Sequence, residues 1–218
     1  MSGSGRLLAW TAFISVFAAL NYAARFGGGD TPDDALYRYS TAILGVVQFA
    51  IVLGVVLWIA RGLRRREVFG LRRPRSWRVA LGLSLAIFVG VIAFAGILSP
   101  FLDPGGEQGL VPDRWEPSRA AAFAANAAVV VLVAPMIEEL TFRGLGLNLL
   151  LRRFGRWTAI VVVGIAFALA HGLVEALPIL AALGSALAFL RVRTASLYPP
   201  ILLHASFNGF ALLGSLLA

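Results

Sequence analysis

Residues 120–151 carry only three charged side chains, and all three fall together. Glu138, Glu139 and Arg143 lie in the stretch Ala134-Pro135-Met136-Ile137-Glu138-Glu139-Leu140-Thr141-Phe142-Arg143. A helix this apolar and this long belongs in a bilayer, where about 20 residues suffice to cross ~30 Å of hydrocarbon. An ionised carboxylate at that depth is costly unless it is paired or faces a wet cavity, so intramembrane acids mark functional sites by default. Pro135 removes a backbone donor just upstream and loosens the helix there.

The remaining chain agrees with a membrane setting. Of the 218 residues, 59% are hydrophobic and 14% charged, against about a half and a quarter in soluble domains. The expected fold class is all-α, a polytopic transmembrane helical bundle of about seven spans. The spans read as 7–24, 36–60, 79–98, 119–151, 157–172, 177–190 and 200–217, with residues 1–6 as a polar tail. An arginine-rich linker fills 61–78, and a polar segment with several prolines and acids fills 101–118. There is no internal repeat. Residues 1–118 divide off as three N-terminal helices with their linker, and 119–218 as a helical core that carries the charged stretch.

All 19 basic residues are arginine, and their placement sets the orientation. With the N-terminus cytoplasmic, Arg6, the eight linker arginines, Arg152, Arg153, Arg156, Arg191 and Arg193 fall inside. Nearly all loop acids then fall outside. The net charge of +8 therefore reflects topology rather than nucleic-acid binding. The linker arginines can also touch anionic lipid. The absence of cysteine removes disulfides, thiolate metal sites and a cysteine nucleophile.

The apolar C-terminal part also contains both histidines, His171 and His204. If the fourth and fifth helices turn near Phe154-Gly155, Glu138 and His171 each lie about 16 residues from the tip, at one depth. His204 and Asn208 are i and i+4, so they share a helix face. His204 lies only ~13 Å from its turn against ~24 Å for the other pair. The depths match if the Arg152–Arg156 tip projects about 10 Å past the bilayer.

Glu139 and Arg143 are also i and i+4 and suit an internal ion pair, which leaves Glu138 as the freer carboxylate. A desolvated Glu138 suits a general base for water, with His171 beside it to orient that water or relay its proton. His204 and Asn208 offer donors for a developing oxyanion. This chemistry amounts to amide hydrolysis by activated water. Phe167 reads as packing beside the site, and Glu175 as a solvated loop acid.

Three motifs occur in order on these helices: Glu138-Glu139-x-x-x-Arg143, Phe167-x-x-x-His171 and His204-x-x-x-Asn208. Together they resemble the CAAX protease and bacteriocin-processing (CPBP) family, which includes the Ras-converting CAAX endoproteases. The resemblance covers roughly residues 119–212. It implies an intramembrane endopeptidase of a bacterial or archaeal cell membrane, acting on a membrane-associated protein or peptide, lipidated or not. It also implies that Glu138 activates water, that Glu139 and Arg143 support it, that His171 completes the base, and that His204 and Asn208 form the oxyanion site.

Other readings stay open at this stage. No cofactor is favoured, because Asn208 makes better sense as an oxyanion donor than beside a metal. A zinc site of Glu138, His171 and His204 is the alternative. Glutamates and histidines also build proton relays, as in a proton-coupled transporter, although no repeat supports that. A non-catalytic immunity or scaffold protein could use the same pocket for binding. Gly27-Gly28-Gly29-Asp30 matches the G-x-G-D of intramembrane aspartyl proteases. Here it lies in a loop, and no span offers a second aspartate.

Overall fold

The structure is a computed structural model that describes residues 1–28, 32, 34–103 and 115–217, with side chains through 214. Gly29 and Asp30 of the G-x-G-D match and most of the 101–118 segment lie outside the described residues. The chain forms a helical bundle with no strand among the described residues. Its helices are α1 (Gly3–Phe26), α2 (Tyr39–Ile59), the short α3 (Arg65–Val68), α4 (Trp77–Leu98), α5 (Pro117–Leu151), α6 (Arg156–Ala170), α7 (Leu177–Thr194) and α8 (Tyr198–Leu217). Helices α1, α2, α4, α5 and α7 are long and apolar enough to cross a membrane, while α6 is shorter at 15 residues. The protein is a polytopic integral membrane protein. Large apolar side chains such as Leu8, Leu44, Leu81 and Leu85 point outward, where lipid rather than water is their solvent.

The first residues are not the polar tail that their composition suggests. Ser2 caps α1 by accepting from the Gly5 N–H, so the helix begins at Gly3. Arg6 then reaches across to the carbonyls of Ile59 and Arg61, satisfying acceptors at the end of α2. The arginine-rich segment is also docked. Ser196 donates to the Arg72 carbonyl, Arg72 donates to the Ala195 carbonyl, and the Leu197 N–H donates to the Gly70 carbonyl. Glu175 is likewise tied down, since its carboxylate accepts from the Asp103 N–H.

One buried cluster joins α1, α2, α5, α6 and α7 across the expected 118/119 division, with Trp10, Val56, Phe142, Leu145 and Phe167 among its members. A second joins α4, α7 and α8 around Leu187, Leu190 and Phe207. Helices α6 and α7 touch backbone to backbone. A Cβ placed on Gly184 would lie 2.8 Å from the Gly164 carbonyl oxygen. Small residues at such a crossing allow the close approach that drives helix association in lipid.

Helix α5 is not a regular α-helix. It widens into π-helical turns at Val129–Val133 and again at Leu140–Gly146, with Pro135 between them. Such turns disturb the backbone ladder, and a polar group released in hydrocarbon needs a partner. Each π segment has a carbonyl that accepts from another helix. Asn208 of α8 donates to Val130, and Trp10 of α1 donates to Thr141. The irregular helix is thus held on both sides, and the two glutamates lie between the supports.

Candidate active site

Glu138 and Glu139 occupy the α-helical segment Ala134–Glu139, and Arg143 the π turn that follows. Glu139 is fully buried and Arg143 nearly so. Arg143 Nη1 lies 2.7 Å from Glu139 Oε1, its Nη2 donates to the Gly184 carbonyl at 3.0 Å, and its guanidinium lies over the Phe167 ring. A buried charge pair is tolerable when such extra partners complete it. The ion pair anticipated from i, i+4 spacing is therefore built, and the α6–α7 crossing helps to hold it.

His204 comes from α8. Its Nδ1 lies 2.9 Å from Glu139 Oε1, which assigns the proton to Nδ1 and fixes the ring. Nε2 then points at Glu138, 3.6 Å from Oε2, beyond direct hydrogen-bond length. That Oε2 is buried and has no hydrogen-bond partner among the described residues. A buried acceptor left in this way calls for an explanation.

His171 follows the last turn of α6. Its Nδ1 lies 2.7 Å from the Phe167 carbonyl, so Nδ1–H donates and Nε2 keeps its lone pair. Asn21 of α1 donates to the Ala170 carbonyl next to it. Gly172 adopts φ +67, and a Cβ there would lie 2.8 Å from the Asn21 backbone, so this turn requires glycine.

Glu138 and His171 open onto one cavity of about 240 Å³. Phe13, Phe17 and Asn21 of α1 form one wall, and Gln48 and Phe49 of α2 another. Thr141 and Phe142 close the α5 side. The volume can hold water together with part of a peptide, a liquid-phase water occupying about 30 Å³.

The structure sorts the six expected residues into three places. Glu138 and His171 line the cavity, while Glu139, Arg143 and His204 form a buried network behind Glu138. Asn208 shares the α8 face with His204, but its Nδ2 is engaged by the Val130 carbonyl, and it does not line the cavity. The π turn supplies the physical reason, since its carbonyl needs a donor in the hydrocarbon. One amide N–H of Asn208 remains. Phe167 is more than packing: its ring meets Arg143 on its face and His171 and His204 edge-on.

The alternative zinc set can be tested against this geometry. Both imidazoles are held through Nδ1, an arrangement that also suits Nε2 ligation. Among the described residues, however, no three histidine or carboxylate groups gather closely enough to hold an ion. Sequence reading missed the contributions of α1 and α2. The lone amide of Gln48 in an otherwise apolar span was the signal available.

Comparison with known proteins bears on the same residues. Residues 120–210 match the family described as type II CAAX prenyl endopeptidase Rce1-like. The chain is 25% identical over 207 residues to "Putative membrane peptidase YdiL" of Bacillus subtilis (strain 168), covering 91% of this chain and 82% of that relative. No solved structure matches. The matched segment contains both glutamates, Arg143, both histidines and Asn208. That segment, less than half of the chain, is similar to the type II CAAX prenyl endopeptidases.

Proposed function

We propose that the protein is an intramembrane endopeptidase in which Glu138 activates water against a peptide bond of a membrane-associated or lipidated protein. The observation that carries the reading is the state of Glu138. Its buried Oε2 lacks a hydrogen-bond partner among the described residues, and the same side chain borders a cavity shared with the Nε2 side of His171. A carboxylate placed in this way accepts a proton from water, and the hydroxide formed adds to the carbonyl carbon. As the tetrahedral species collapses, the C–N bond breaks and the proton passes to the leaving amine, with His171 as the relay.

Glu139 does not touch the cavity. It sets the His204 ring so that Nε2 faces the reacting region, and Arg143 keeps Glu139 in place. His204, once protonated at Nε2, is the proposed donor to the oxyanion, while Asn208 braces α5 through the Val130 carbonyl. The mechanism is proposed as metal-free, because the three groups that would ligate zinc are not gathered. The N-terminus is assigned to the cytoplasm by the arginine distribution, with substrate entering laterally or from that side.

The experiment is cleavage by purified protein in proteoliposomes, with substrates identified by comparing membrane proteomes of parent and Glu138→Ala cells. Loss of a general base is expected to reduce turnover by about 10²–10⁴-fold. Cleavage by Glu138→Ala at the parent rate would refute the mechanism.

A further inference from the structure

The family match begins at residue 120, yet much of the wall facing Glu138 belongs to α1 and α2. Most of that wall is apolar, with Phe13, Phe17 and Phe49 in it. Gln48 is different. It stands near the middle of α2, ~14 Å from Tyr39 and ~16 Å from Ile59 at 1.5 Å per residue. From Ala42 to Ile59 it is the only polar side chain other than the Trp58 indole. It is exposed, and it has no hydrogen-bond partner among the described residues. An amide at membrane depth is costly unless something satisfies it.

Apart from Glu138, each of the other polar side chains of the cavity wall makes a hydrogen bond to a backbone carbonyl. Asn21 Nδ2 donates to the Ala170 carbonyl, Thr141 Oγ1 to the Ile137 carbonyl, and His171 Nδ1 to the Phe167 carbonyl. Gln48 has both ends of its carboxamide uncommitted. Two donors and an acceptor at one point complement a peptide group, which carries one N–H and one C=O. A peptide unwound for cleavage in hydrocarbon has the same unmet need.

We propose that Gln48 is a substrate-binding residue whose carboxamide hydrogen-bonds a peptide group of the chain lying beside Glu138. This rests on the hydrolytic reading above. It assigns α2 a share in recognition, with Gln48 gripping the backbone while Phe13, Phe17 and Phe49 receive an apolar side chain. Backbone contact predicts little preference for residue type at the gripped position.

The native chain has no cysteine, so single-cysteine variants report cleanly. In proteoliposomes, Gln48→Cys should react with a charged methanethiosulfonate, whereas Ile43→Cys, exposed on the opposite face of α2, should be inert. An N-acylated heptapeptide pool should slow that reaction in the Glu138→Gln background. For turnover, Gln48→Leu should raise KM for the best-cleaved heptapeptide about tenfold with kcat little changed, the signature of lost uniform binding. An ester scan of the non-scissile bonds should find one position that weakens the parent but not Gln48→Leu. Equal labelling of the two cysteines, or an unchanged KM with identical ester penalties, would overturn the inference. Cleavage by Glu138→Gln at the parent rate would instead sink the hydrolytic reading, and the labelling result would still locate Gln48.

Discussion

The guanidinium carbon of Arg143 lies 4.2 Å from the centroid of the Phe167 ring, and the same ring meets His171 and His204 edge-on. Phe167 is fully buried, so this contact between cation and aromatic face is desolvated. Such contacts contribute about 2 kcal/mol, with the ring's negative face toward the charge. Phe167→Leu keeps an apolar group of similar bulk and removes the face. It should lower stability by about 1–2 kcal/mol in detergent unfolding and reduce turnover, because both imidazoles lose their neighbour. A variant as stable as the parent would show that the ring only fills space.

Glu139 and Arg143 form a second test, because breaking a buried pair differs from replacing it. Glu139→Gln or Arg143→Met alone leaves a buried charge without its partner, at a cost of about 3–5 kcal/mol. The double variant removes both charges and should recover most of that loss in thermal unfolding. Turnover should not recover, because the carboxylate that holds His204 Nδ1 at 2.9 Å is gone. A double variant that is stable and active would free Glu139 from the positioning role.

The helix ends were legible to within a few residues: the span expected over 79–98 starts at Trp77, and the one expected over 177–190 runs on to Thr194. Ser76 caps α4 with its hydroxyl, and Pro178 sits in the first turn of α7 as its missing donor allows. Within the candidate site the Glu139–Arg143 pair was legible, because charge in a membrane helix needs a partner and i, i+4 spacing supplied one. The destination of the Asn208 amide was not legible. It depends on a π turn at Val129–Val133, which Pro135 hints at but does not specify. The start of α1 was obscured by Gly3 and Gly5, poor helix formers that Ser2 and the Arg6 contacts overrule.

Gly184 joins packing to chemistry at one position. Its carbonyl accepts from Arg143 Nη2, and its Cα faces the Gly164 backbone with no room for a methyl group. Gly184→Ala must push α7 from α6 or shift its own carbonyl away from Arg143. Overpacking of this kind costs about 1–3 kcal/mol. Activity should fall further than Gly214→Ala causes, since nothing lies within 4 Å of a Cβ at Gly214. Parallel melting and turnover measurements on the two variants check this. Equal losses in both would dissociate the crossing from the site.

The metal question turns on how closely three groups approach. Glu138, His171 and His204 reach the site from three helices, yet among the described residues no such trio is close enough to hold an ion. His204 Nε2 stands 3.6 Å from Glu138 Oε2, beyond direct hydrogen-bond length. If that spacing is the working one, prolonged treatment with 1,10-phenanthroline and dialysis should leave peptide cleavage unchanged. Elemental analysis of active protein should find zinc well below one equivalent. Stoichiometric zinc, lost together with activity and restoring it on return, would require the three groups to close around an ion. Glu138 would then be a ligand, and the general base would have to be sought elsewhere.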